Sequence, residues 1–233
     1  MYRSLKAEQI MDTTKNIVDK IIMRFPDSGL GKVSAEVLEV SNESIELTRW
    51  VSKPIVWVRV CTSLLMISLI VLMAEALHKL HILNLIQNFS YEFGNFLQAT
   101  ESGVNDVAFI GIAIFFLVTF ENRIKRKKIL KAINELRSLA HVIDAHQINK
   151  DPKCCKNSST RRVMNTSDVS QYLDFCSDLL SMIGKLAALY VQKFHDSESL
   201  KAVDDIQDLT NGLSRKIWQK IALINQGGIT DGI

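Results

Sequence analysis

The sequence predicts an all-α membrane protein, a two-helix transmembrane hairpin carrying a cytoplasmic helical bundle. Three observations lead there. Two apolar runs, 54–77 and 103–120, lie between polar flanks. Both flanks repeat apolar residues at helical spacing and show no strand alternation. A block of positive charge, NRIKRKK, follows the second run almost at once.

A helix rises about 1.5 Å per residue, so crossing about 30 Å of hydrocarbon takes about 20 residues. The first run, PIVWVRVCTSLLMISLIVLMAEAL, meets that length and carries only Arg59 and Glu75 as charges. Both stand near its ends, where a long side chain snorkels to the headgroups. Trp50 and Trp57 fall at its start, where indole rings favour the interface. Pro54 suits a first helical turn, because its missing N–H would be unpaired there anyway. The second run is shorter. Its uninterrupted apolar part is 107–120, a length met by bilayer thinning or oligomerisation. A soluble core helix normally keeps a polar stripe, and LLMISLIVLM has none.

Orientation follows from lysine and arginine. Arg123, Lys125, Arg126, Lys127 and Lys128 cluster past the second run, and Arg49 and Lys53 precede the first. The loop between the runs holds Lys79 against Glu92 and Glu101, with Asp106 at the start of the second run. Both termini are therefore expected in the cytoplasm, with a short outer loop over 78–102. The first fifty residues contain no signal-peptide core, so the first span is expected to act as its own insertion signal. The net charge of +3 is small, and its excess sits at the inner surface. Arg123, Lys125, Arg126, Lys127 and Lys128 are therefore expected on anionic lipid headgroups. Nucleic-acid binding is not expected, since no groove-reading motif or aromatic interleaving accompanies the charge.

The cytoplasmic parts read as helices. Residues 1–24 carry Leu5, Ile10, Ile17, Ile21 and Ile22 at near-helical spacing. RFPDSGLGK then signals a turn, and a second helix is expected from Val33 toward Trp50. In the outer loop, Leu80, Leu83, Ile86, Phe89, Phe93, Phe96 and Leu97 suit an interfacial helix broken near Gly94. A re-entrant pore segment is the alternative, and it needs an oligomer around it. The second span is expected to continue as helix to about Pro152, because no Gly or Pro interrupts the pattern from Ile124. A loop over 151–167 precedes a helix that begins near Ser167. HDSES is a turn, a last helix spans about 200–224, and 226–233 is a glycine-rich frayed tail. The domains expected are thus 1–53, the hairpin 54–120, the bundle 121–225, and the tail.

Candidate chemistry is sparse. His141 and Asp144 share a helix face at a spacing of three and suit a polar, pH-sensitive latch. With Asp174 and Asp178 they are also the best set for a metal, although no spacing requires one. Cys61 and Cys176 lie in apolar surroundings, while Cys154 and Cys155 are adjacent and flanked by lysines. No CxxC spacing accompanies them. Lys185 stands among apolar residues and is expected to snorkel or to pair with Asp178 or Asp144. Trp218 among Arg215, Lys216 and Lys220 suits a helix C-terminus or a headgroup contact. No P-loop, GxSxG, HExxH or dinucleotide glycine turn occurs, so neither catalysis nor a cofactor is expected.

LRSLAHVIDAHQINKDP, YLDFCSDLLSMIGKLAALY and LSRKIWQKI, with RFPDSGL and ENRIKRKK, resemble an uncharacterised family of bacterial two-span inner-membrane proteins. The resemblance covers most of the chain. It implies the bacterial inner membrane and supplies no catalytic residues. Two functions are compatible with these readings. One is a self-associating helical scaffold or signalling module without catalysis. The other is a small homo-oligomeric ion channel, with Asp106, Glu101 and Glu92 as an acidic ring along the ion path.

Overall fold

A computed structural model describes residues 5–86, 93–148 and 165–230. They form six helices: α1 (Ala7–Arg24), α2 (Gly29–Ser52), α3 (Val56–Ile86), α4 (Phe93–Ile148), α5 (Thr166–Val191) and α6 (Ser197–Thr230). No strand occurs among the described residues. The chain divides into two compact units. One joins 1–53 to 126–233, and the other is Pro54–Lys125.

The first unit is a bundle of α1, α2, the C-terminal half of α4, α5 and α6. Helix α5 is its centre, and it packs on α1, α2 and α6. Fourteen of its 26 residues are buried, which explains why its apolar face is so broad in the sequence. Leu179, Leu180, Ile183 and Leu186 are fully buried, and Ile129, Ile133, Leu136 and Ile143 of α4 join the same core. Each such side chain contributes about 1.5–3 kcal/mol through its removal from water.

Contacts at the helix ends fix the directions. Arg24 meets Asp168 and Gln171, so α1 and α5 run antiparallel. Glu8 pairs with Arg49, so α1 and α2 do too. Lys128 stands over Trp50 at one end of α2, and His146 meets Gly29 at the other, so α2 and α4 are antiparallel. Short connections give antiparallel neighbours at α1–α2 and α5–α6. The chain leaves the bundle at Lys53 and returns at Arg126, and both lie at the end that holds Trp50 and Asp196.

Local chemistry sets the boundaries. Asp27 takes a φ of 60°, a left-handed turn that aspartate tolerates. Ser28 then caps α2 by accepting from the Gly31 N–H at 3.0 Å. Helix α2 therefore begins at Gly29, four residues before the Val33 expected from sequence. The two glycines lie inside its first turn, and the His146 ring packs close over Gly29. A Cβ there would come within 2.4 Å of the His146 ring. Asn165, not Ser167, caps α5. Helix α6 starts at Ser197 and runs through Gly227 and Gly228, where fraying was expected.

In the second unit, α4 continues past 120 without a break, as the unbroken apolar pattern implies. It starts at Phe93, ten residues before the expected span, and α3 extends nine residues beyond Leu77. Among the described residues, one apolar window long enough to cross a membrane falls within Gly29–Glu75, and only 6 % of it is buried. Trp57, Val60, Leu64, Leu65 and Ile67 of α3 are exposed, as are Phe109, Ile112, Phe115 and Val118 of α4.

Candidate functional site

The strongest polar constellation in the Pro54–Lys125 unit centres on Glu121. Its carboxylate accepts from Arg59 Nε at 2.7 Å and from the Ile55 N–H at 3.3 Å, and pairs with Lys125 Nζ at 2.9 Å. Burial opposes ionisation of this carboxyl. The hydrogen bonds from Arg59, Lys125 and the Ile55 backbone outweigh it and hold the group at about 2. Glu121 therefore clamps the start of α3 to α4 at one level. The Glu121–Lys125 half was legible as a favourable i,i+4 pair. The Arg59 half was not, because 62 residues separate the partners.

This clamp revises the reading of the basic block. Lys125 is 7 % exposed and committed to Glu121, so it is not a free headgroup contact. Arg59 does not snorkel alone, since it ends on the same carboxylate. Arg126 turns to Asp196, with Nη2 and Nε at 2.5 and 2.9 Å from one oxygen, and reaches Glu198 at 3.3 Å. Lys128 places its ammonium 4.1 Å from the Trp50 ring centre. Arg123 lies 4.3 Å over Phe116 and stays exposed, and Lys127 is exposed with no ion pair among the described residues. Arg123, Lys127 and Lys128 are thus the members of the block without a carboxylate partner among the described residues, two of them over aromatic rings.

Asp196 has a second task. Its other oxygen accepts from the Ser199 N–H and hydroxyl, both at 3.1 Å, so it caps α6 while gripping α4. Burial works against its charge, and Arg126 with Ser199 overcomes that, holding the carboxyl below its ordinary value. The HDSES turn was visible in sequence, and its role as a joint between α4 and α6 was not.

The remaining candidates disperse. His141 is exposed on α4, and Asp144 accepts from the Gln147 amide. The structure does not bring His141 and Asp144 into a hydrogen bond. His146, assigned no role from spacing, packs on Gly29 instead. Asp174 and Asp178 lie on α5, and burial raises both carboxyls above their ordinary values. No group of three or more metal-ligating side chains forms among the described residues. Lys185 is exposed and makes no ion pair with Asp178 or Asp144. Cys176 is buried, which pushes its thiol up to about 12, and Cys154 and Cys155 lie outside the described residues. Glu92 is also outside them. Glu101 and Asp106 fall on α4, with side chains beyond what is described.

What these groups do chemically is hold helices together. Glu121, Asp196 and their partners each link two helices, and Asp196 also caps one. No protein-family profile, no curated protein and no solved structure matches this chain.

Proposed function

We propose that this chain is an integral protein of a bacterial inner membrane, with α3 and the first part of α4 as two spans and both termini in the cytoplasm. Its helical bundle serves there as a self-associating scaffold or signalling module, without catalysis. One observation carries the membrane reading: the apolar side chains of α3 and α4 stand exposed around both helices. In water, Trp57 at 77 % and Phe109 at 68 % exposure would drive aggregation, whereas lipid covers them at no cost. Arg123 and Lys127 supply the cations for anionic headgroups beside the spans. The bundle supports a scaffold because its polar groups serve packing and caps.

Alkaline carbonate washing of membranes from expressing cells tests the anchoring. Retention in the membrane pellet supports it, and release overturns it. Native mass spectrometry of the extracted chain tests self-association, and a monomer overturns the scaffold. A closed ring of four or more copies whose ion flux falls in Asp106→Asn would replace the scaffold with the channel reading.

A further inference from the structure

The Glu121 clamp uses one part of Arg59 and leaves the rest facing outward. Glu121 accepts from Arg59 Nε at 2.7 Å, and no other side-chain hydrogen bond or ion pair engages that guanidinium among the described residues. A guanidinium carries five N–H donors, so four remain on the two Nη atoms. Those two atoms form the end-on edge of the fork, and the side chain is 62 % exposed. The bond through Nε decides what that edge can do. It fixes the plane of the group against α4, so the free edge is held in place instead of sweeping through its rotamers.

Charge at this level is positive on balance. Among the described side chains of the Pro54–Lys125 unit the carboxylates are Glu75 and Glu121. Glu75 lies about 24 Å further along α3 than Arg59. Glu121 is therefore the carboxylate set against Arg59, Lys125 and Arg123. Lys125 is buried in the clamp and Arg123 lies over Phe116, so Arg59 is the cation here that combines a fixed plane with open donors. Its depth follows from α3. Arg59 lies one turn after Ile55, and a helical side chain tilts toward the N-terminus of its helix. The guanidinium therefore aims out of the span, at the end where the apolar run begins. Trp57, two residues earlier and exposed, marks the same level as a headgroup boundary, where indole rings settle.

We infer that the open edge of Arg59 is a binding site for a phosphate group, met in the membrane as the phosphodiester of a glycerophospholipid. Two phosphate oxygens match the two Nη donors as parallel N–H···O bonds, a geometry that an ammonium does not reproduce. The ligand class follows from that match. The fork reads the phosphate itself, which zwitterionic and anionic phospholipids share, whereas Arg123 and Lys127 act on net negative charge. The inference rests on the membrane placement proposed above. It adds to that placement a lipid contact that does not depend on the charge of the lipid.

The test uses the full chain in a phosphate-free detergent and reads bound adducts by native mass spectrometry. The probes are dioleoylphosphatidylcholine, dioleoylglycerol, which has the same acyl chains and no phosphate, and inorganic phosphate. Wild type is expected to prefer the phospholipid over dioleoylglycerol. Arg59→Lys keeps the charge, removes the fork and is expected to weaken phospholipid binding at least about fivefold while dioleoylglycerol binding stays unchanged. Lys15→Gln, at an exposed cation of α1, is expected to change neither. Phospholipid binding indifferent to Arg59→Lys overturns the fork. Equal loss of both lipids in that variant marks a role in packing and overturns it as well. Inorganic phosphate that binds wild type as tightly as the phospholipid overturns the lipid as the source of the phosphate. Release of the chain by alkaline carbonate overturns the membrane placement and this inference with it, whereas retention with indifferent phospholipid binding overturns this inference alone.

Discussion

Replacing Asp196 probes the joint between α4 and α6. This carboxylate caps α6 through the Ser199 N–H and binds Arg126 through its other oxygen, so two substitutions separate the two tasks. Asp196→Asn keeps a side-chain oxygen for the cap and loses the charge. Asp196→Ala loses both. An N-cap is worth about 1 kcal/mol. A charge-assisted hydrogen bond is worth about 1.5–3 kcal/mol, taken at the low end because Arg126 is one-third exposed. The expected cost is therefore about 1.5 kcal/mol for Asp196→Asn and about 2.5 kcal/mol for Asp196→Ala. Urea unfolding of the full chain in micelles measures both through Trp50 and Trp218 fluorescence, since both indoles lie in the bundle unit. The dependence on pH follows from the same contact. The folded carboxyl lies below its ordinary value, so as pH falls the unfolded chain takes up the proton first. The stability from Asp196 is complete above the unfolded value of about 4 and is lost as pH drops below it toward the folded value. In Asp196→Asn this contribution to the acid loss disappears. Equal stability of wild type and Asp196→Ala at neutral pH would refute the joint. Equal cost in the two variants would show that the cap contributes nothing.

Further outcomes follow from the packing. Glu121→Gln removes the charge shared by Arg59 and Lys125 and is expected to cost about 2 kcal/mol in thermal scans, more than Lys125→Met, because it leaves a buried ammonium unpaired. Ile183→Ala hollows the centre of the bundle for about 3 kcal/mol, whereas Ile22→Ala at the surface stays within about 0.5 kcal/mol, both read by urea midpoint. Tyr190→Phe loses the 2.6 Å bond to Ser44 and is expected to cost about 1 kcal/mol, with the Ser44 hydroxyl still bonded to the Val40 carbonyl. Cys176, fully buried with its thiol raised to about 12, is expected to resist a maleimide until urea unfolds the bundle, as mass spectrometry of labelled peptides would show.

Helix existence and type were legible because they depend on local periodicity. The pattern from Ile124 to Ile143 required a helix continuous with the apolar run before it, and α4 is that helix. That α5 is the central helix, with fourteen buried residues, came only from the packing. Helix starts were less legible. Ser28 and Asn165 were passed over in favour of later residues, since a cap is chosen by whether a particular N–H points at it. Glycines at 29 and 31 looked like a loop, yet both lie in the first turn of α2, where Gly29 stands against the His146 ring from more than a hundred residues away.

By itself the sequence determined that the chain is all-α, where its apolar segments lie, and that its positive charge gathers past the second of them. These are sums over neighbouring residues, and each residue carries its share wherever it sits. Only the tertiary structure decided which charges are committed. Five cations in one block read alike in sequence. Folding gave Lys125 to Glu121 and Arg126 to Asp196, set Lys128 over Trp50 and Arg123 over Phe116, and left Lys127 exposed without an ion pair among the described residues. A charge's role depends on what stands within a few ångströms of it, and the partners of Arg126 and Lys128 lie on other helices far along the chain.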